Sequence, residues 1–145
     1  MCKILVVDDE EEVRAAIQRR LIRDGLKVDV AGDEDEALER IKAADPSYDV
    51  VLTDMVMESP DSGMNILQAA VGQDIFSEVI VLTAYGNVAN AVECMKRGAF
   101  DYVEKNIPGV DVFDLMSIKV AQAIDRRRSS VSTVRRIDQF GRVKS

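Results

Sequence analysis

Five polar residues in this chain sit where apolar runs give out. Asp8 and Asp9 follow "LVV", Asp54 follows "VVLT", Thr83 closes "VIVLT", and Lys105 follows "DYVE". Two carboxylates about 4 Å apart repel by about 4 kcal/mol at an effective dielectric near 20, so three gathered together require a counter-charge. Oxygen-only donors at a partly open rim suit Mg²⁺, or Mn²⁺, as that charge. Taken singly, each residue has an ordinary explanation. Acids after a strand favour the positive end of the next helix, and that reading accounts for Glu10, Glu11 and Glu12. A lone lysine is usually solvated, and a lone threonine is a β-former. The signal is the set.

The chain contains no histidine. Ser-His-Asp triads, Cys-His dyads and the usual histidine-bearing metal sites are therefore excluded. Two cysteines, Cys2 and Cys94, are too few and too far apart for a disulfide framework or a zinc site, and they fit a reducing cytoplasm. What remains is chemistry by carboxylates, hydroxyls, lysine or a hard cation.

The elements that must position this set alternate in type. Short β-branched runs at 3–7, 26–31, 49–53, 78–83 and 100–103 are separated by helix-period segments of roughly ten to fifteen residues. Val13, Ile17, Leu21 and Ile22 share one helical face before Gly25. Asp33 with Glu36 forms a capping box ahead of Ala37, Leu38 and Ile41. Ile66, Leu67 and Ala70 mark a third helix, Val88, Val92 and Met95 a fourth ending at Gly98, and Val112, Leu115, Met116, Val120 and Ile124 a fifth. Five βα units in strict alternation predict an α/β fold, a parallel sheet with helices on both faces. The first, third and fourth strands are nearly all apolar and read as central, and the alternating second suits an edge. In such sheets the ligand crevice lies beyond the carboxyl ends of the strands, and all five polar residues arrive at that rim.

At 145 residues the chain suits one domain, and 47% apolar with 31% charged residues is an ordinary globular composition. No run of about 18 apolar residues marks a membrane span, and no signal peptide is evident. The net charge of −7 is uneven: residues 126–145 hold seven basic residues against Asp138 alone, leaving 12 basic and 25 acidic residues in the body. An acidic body gives no support to nucleic-acid binding by the domain itself.

Taken in order, "LVVDDE", "VVLTDM", "VIVLTAYG" and "GAFDYVEK" resemble the acidic pair, phosphoacceptor strand, hydroxyl strand and lysine strand of the receiver domain of two-component response regulators. The resemblance covers roughly residues 3–125. It implies a doubly wound, flavodoxin-like (βα)₅ fold with strand order 2-1-3-4-5, a receiver domain over residues 1–127, and a phosphoprotein working in a cytoplasmic phosphorelay. It implies that Asp54 takes a phosphoryl group from the phosphohistidine of a sensor histidine kinase or a histidine phosphotransfer protein. Asp9, Asp54 and the Val56 carbonyl would hold Mg²⁺, with Asp8 binding through water. Thr83 and Lys105 would each engage a phosphoryl oxygen. Tyr102 would turn inward as Thr83 moves, reshaping the surface of helix four, strand five and helix five, through which a homodimer would form. Such a domain is not an enzyme in its own right; it catalyses only its own phosphorylation and slow dephosphorylation. These roles agree with the physics, since phosphoryl transfer asks mainly for alignment and charge neutralisation around a competent nucleophile.

The chain departs from the family pattern in three places. Pro60 and Gly63 lie six and nine residues after Asp54, as if one residue were inserted. Asn106 stands where the lysine is usually followed by a cis proline; a cis bond here would cost about 2.5–4 kcal/mol, which predicts trans geometry or local strain. The Arg/Ser-rich tail, 128–145, reads as a solvated linker or as an extension of helix five through Val131, Val134 and Ile137, a reading that its Ser/Thr cluster weakens. Val56 and Tyr85, two residues after acceptor and switch, offer no obvious water-orienting group and predict a long-lived phosphoryl state. Two rival readings stay open: a phosphorylation-independent interaction module, and an aspartyl-nucleophile phosphohydrolase, which would want a carboxylate where Val56 stands.

Overall fold

The pleat of each central strand sends alternate side chains to opposite faces, and here both sets are apolar. In the computed structural model, which describes residues 2–84 and 87–144, five parallel strands form one sheet. They are β1 (Lys3–Val7), β2 (Lys27–Ala31), β3 (Val50–Asp54), β4 (Glu78–Thr83) and β5 (Asp101–Glu104), in the order β2-β1-β3-β4-β5. The five intervening helices are α1 (Glu11–Arg23), α2 (Glu34–Ala43), α3 (Ser62–Gln73), α4 (Val88–Lys96) and α5 (Val112–Lys144). The expected class, strand order and central positions are all present.

Leu5, Val7, Val51, Val79 and Val81 meet Ala37, Ile41, Ile66, Leu67, Ala70, Ala91 and Cys94 on the side covered by α2, α3 and α4. Ile4, Val6, Val50, Leu52, Ile80 and Leu82 meet Ile17, Leu21, Met116, Val120, Ala123 and Ile124 on the side of α1 and α5. Each fully buried Leu or Ile contributes about 1.5–3 kcal/mol by leaving water. At the β2 edge, Lys27 is exposed and the next three residues only partly buried, which explains the alternation of that strand.

Two helical faces differ from expectation. Ile22 is 52% exposed, so α1 packs through Ile17 and Leu21 with Val13 partly covered. On α4, Val92 is exposed, and the small residues Ala91 and Cys94 face the sheet instead. The capping box at α2 is half realised. The Asp33 carboxylate accepts from the Glu36 N–H at 2.8 Å, but Glu36 accepts from the Gly32 N–H rather than from Asp33 itself.

The tail is not a loop. Helix α5 runs 33 residues without a break, carrying the segment read as a linker as helix. Thr133 is accommodated by returning its hydroxyl to the Ser129 carbonyl at 2.9 Å, one turn earlier. None of residues 128–138 is buried, so this stretch projects past the core. Where it leaves, Arg127 anchors it: Nε donates to Asp49 at 2.7 Å and Nη2 to Asp74 at 2.9 Å, at the end of the sheet opposite the carboxyl rim.

Candidate functional site

Strand register builds the site. Val7 pairs with Thr53, and Asp54 with Leu82, so the residues just beyond β1 and at the end of β3 fall side by side. Lys105 follows β5, where its N–H donates to the Thr83 carbonyl at 2.8 Å. Asp8 is fully buried, Asp54 is 5% exposed and Thr83 is 2% exposed. Three ionisable or polar groups out of water at one spot need internal partners.

Lys105 supplies them for the carboxylates. Its ammonium lies 2.7 Å from Asp8 Oδ2 and 2.5 Å from Asp54 Oδ1, a contact between residues 97 positions apart for the first of these. Asp8 is otherwise engaged, because its Oδ1 accepts from the Glu10 N–H at 2.9 Å. Arg14 on α1 donates to the Asp8 carbonyl at 2.9 Å and fixes the loop from the other side. One ammonium shared by two carboxylates leaves a surplus negative charge. Burial pushes the Asp54 carboxyl up to about 7, with Lys105 acting against that rise. Burial also opposes the charge on Lys105, yet its bonds to Asp54 and Asp8 outweigh this and raise its pKa. Both shifts express the same demand for another positive charge.

Above this layer lies a cavity of about 480 Å³ whose lining includes Asp9, Asp54, Val56, Thr83, Lys105 and Asn106. Carboxylate oxygens of Asp8, Asp9 and Glu10 all fall within 4.8 Å of one another, a hard-oxygen set that fits a divalent cation. Glu10, assigned from the sequence to helix capping alone, therefore belongs to this cluster, and at the N-cap of α1 its side chain makes no capping bond. The Thr83 hydroxyl donates to the Asn87 carbonyl at 3.1 Å, in the loop before α4. Tyr102 is partly buried against the cluster containing Val81 and Ala91. Val56 is 47% exposed at the mouth. Tyr85 lies outside the described residues.

The two irregular loops explain themselves. Asn106 takes φ 58 in a chain whose cis bond, among the described residues, is Asp45–Pro46, so the Lys105–Asn106 bond is trans. Asparagine tolerates this left-handed conformation better than most residues. The loop of residues 55–61 joins β3 to α3, and Gly63 at the start of α3 is in close contact with the backbone just after β3. A Cβ on Gly63 would stand 2.7 Å from the Met55 Cα, and its N–H donates to the Met55 carbonyl at 2.8 Å. Glu58 in this loop accepts from the Glu34 N–H at the start of α2.

The profile of the response regulator receiver domain matches residues 4–117. The chain belongs to that family. Among its relatives, the acid tolerance regulatory protein ActR of Rhizobium meliloti is 28% identical over 91% of this chain and 66% of its own length. The C4-dicarboxylate transport transcriptional regulatory protein DctD of Pseudomonas aeruginosa is 34% identical over 87% of this chain and 26% of its own. The receiver domain thus spans well under the full length of regulators of the second kind. A response regulator receiver domain protein from Clostridium thermocellum superposes with a TM-score of 0.77 at 38% identity, over 88% of this chain and 98% of that one. The NtrX crystal structure from Brucella abortus gives a TM-score of 0.80 at 27% identity over 92% of this receiver and 30% of that chain. Sequence reasoning assembled the receiver's five rim residues but missed Glu10 and Arg14. The signal available for Arg14 was a cation six residues after Asp8, in the first turn of the next helix.

Proposed function

We propose that this receiver domain accepts a phosphoryl group on Asp54 from the phosphohistidine of a sensor kinase or phosphotransfer protein. The observation that carries the reading is the Lys105 ammonium seated between Asp8 and Asp54 at the floor of an open, acid-lined cavity. An Asp54 carboxylate oxygen forms the new O–P bond, the donor's N–P bond breaks, and the imidazole leaves with the electron pair and takes up a proton. Lys105 neutralises charge on a phosphoryl oxygen, and the Thr83 hydroxyl stabilises a second. Asp9, Asp54 and the Val56 carbonyl would hold Mg²⁺, with Asp8 linked through water and Glu10 flanking. That ion supplies further neutralisation when bound. No general acid stands at Val56, which supports self-phosphorylation with slow loss of the phosphoryl group rather than a phosphohydrolase. The intact set of acceptor, acids, hydroxyl and lysine supports this over a phosphorylation-independent module.

Switching follows from the hydroxyl. Thr83 must leave the Asn87 carbonyl to reach the phosphoryl group, a loss of about 1 kcal/mol. Inverting a 1:99 population takes about 5.5 kcal/mol of differential interaction, so contacts from Lys105 and the cation must supply most of it. Tyr102 then fills the space Thr83 vacates and alters the α4–β5–α5 surface, the proposed site of homodimer or effector contact. A cytoplasmic location fits a domain in which no helix of the described residues is long and apolar enough to cross a membrane. The test is labelling with a small acyl-phosphate donor and Mg²⁺. Stable label on the wild type and none on Asp54→Asn are expected; label of equal extent on both would overturn the assignment.

A further inference from the structure

Arg14 follows five consecutive acids, Asp8 to Glu12, yet among the described residues its guanidinium pairs with none of their carboxylates. Nη1 donates instead to the backbone carbonyl of Asp8 at 2.9 Å. The same guanidinium lies against Gly32, in the loop between β2 and α2. A Cβ on Gly32 would stand 3.0 Å from Nη1 and 3.5 Å from Cζ. Gly32 does not take a positive φ, so the space over it, not its backbone, asks for glycine. The Gly32 N–H is braced in turn, donating to the Glu36 carboxylate at 3.2 Å. The guanidinium therefore spans from the acid loop to a fixed neighbour. A charged donor given to a neutral carbonyl, with carboxylates so near in the chain, orients backbone rather than neutralising charge.

We infer that Arg14 is a positioning residue for the divalent cation, acting through the peptide unit between Asp8 and Asp9. The inference rests on the reading above, in which Asp9 and Asp54 hold that ion. The Asp8 carbonyl and the Asp9 N–H belong to one rigid plane, so fixing the carbonyl fixes the direction in which Asp9 leaves the chain. The flanking groups are held as well: the Asp8 N–H donates to the Ala31 carbonyl at 3.2 Å, and Asp8 Oδ1 accepts from the Glu10 N–H at 2.9 Å. Asp9 itself is exposed, so its backbone sets where its carboxylate stands. A ligand already aimed at the ion pays less to be ordered on binding, and groups behind the ligands tune affinity in this way. Charge alone predicts the reverse. A guanidinium beside a cation site repels the ion, and its removal should tighten binding. Geometry and charge thus give opposite signs for the same substitution.

The experiment titrates the full 145-residue chain with Mg²⁺, reading amide chemical shifts around Asp9 and Asp54, and follows acyl-phosphate labelling of Asp54 across the same Mg²⁺ range. Arg14→Met should raise the Kd for Mg²⁺ by about threefold or more, with labelling restored to the wild-type rate once Mg²⁺ saturates. Gly32→Ala keeps every charge, Arg14 included, and crowds the guanidinium with a methyl group. It should raise the Kd in the same direction by a smaller factor, and it keeps the test decisive where Arg14→Met folds poorly. An unchanged or lower Kd in Arg14→Met, a labelling defect that saturating Mg²⁺ does not restore, or an unchanged Kd in Gly32→Ala would each overturn the inference. A wild type that takes up no Mg²⁺ overturns the reading beneath it as well, whereas a wild type that binds, with both variants binding equally, overturns the inference alone.

Discussion

Removing the charge of Asp54 should make the metal-free protein more stable. Asp54 is 5% exposed, and burial lifts its carboxyl from the ordinary 3.8 to about 7 despite the neighbouring Lys105. Folding therefore favours the protonated form, and that contribution is present below pH about 4 and lost as pH rises through 7. The gap between the two values corresponds to a ceiling of roughly 4 kcal/mol at pH 8. Asparagine keeps the shape and an acceptor for Lys105 but carries no charge, so it escapes most of this cost. Allowing for local water and for a weaker bond to Lys105, Asp54→Asn should gain about 1–3 kcal/mol at pH 8, or about 3–8 °C in Tm. The gain should fall to about a third of its size at pH 5. Excess Mg²⁺ should narrow the difference by stabilising the wild type, by about 2.7 kcal/mol at a hundredfold excess over Kd. Urea and thermal unfolding of both proteins between pH 4.5 and 8, with chelator and then with Mg²⁺, measure this directly. A wild type more stable than the variant at pH 8 without metal, or a difference independent of pH, would refute the reasoning.

Lys105→Met leaves two buried carboxylates facing each other and should cost about 3 kcal/mol at pH 8, less at pH 5, by urea unfolding. Gly63→Ala forces a methyl against the Met55 backbone and should cost about 1–3 kcal/mol, with slower acyl-phosphate labelling of Asp54 as the β3–α3 loop shifts. Thr83→Ala should still label on Asp54, but more slowly, and abolish the phosphorylation-dependent chemical-shift changes of α4, β5 and α5 amides. Val56→Asn with Tyr85→Glu should speed decay of the phosphorylated protein at least threefold, and an unchanged or slower decay would show that these positions do not govern water access.

Strand positions were legible because parallel strands buried on both faces must be apolar nearly throughout, and β1, β3 and β4 are. The rim residues were legible because strands of a doubly wound sheet all end at the same side. Their partners were not, since the bond from Lys105 to Asp8 joins residues 97 apart and depends on how the sheet twists. The α4 face was misread because periodicity weighs Val92 above Ala91 and Cys94, whereas close approach of helix to sheet rewards the smaller side chains. The tail was ambiguous for a thermodynamic reason: Ser129, Ser130, Ser132 and Thr133 are poor helix formers, and only continuity with the well-packed turns before them carries the helix onward.

That continuity has a mechanical meaning. Beyond Arg127, α5 projects for 17 residues, about 25 Å of rod rising from a fulcrum at Asp49 and Asp74. Its other end starts at Val112, a short loop away from Lys105. A tilt of about 10° about that fulcrum moves the tip by about 4 Å, a distance close to one turn of helix. From that fulcrum two arms of nearly equal length run apart, one packed against the sheet back toward the loop after Lys105, the other reaching clear of the core. A tilt at the Val112 end would reach the tip at about its own size, so a neighbour attached there would receive displacement rather than a change of surface chemistry.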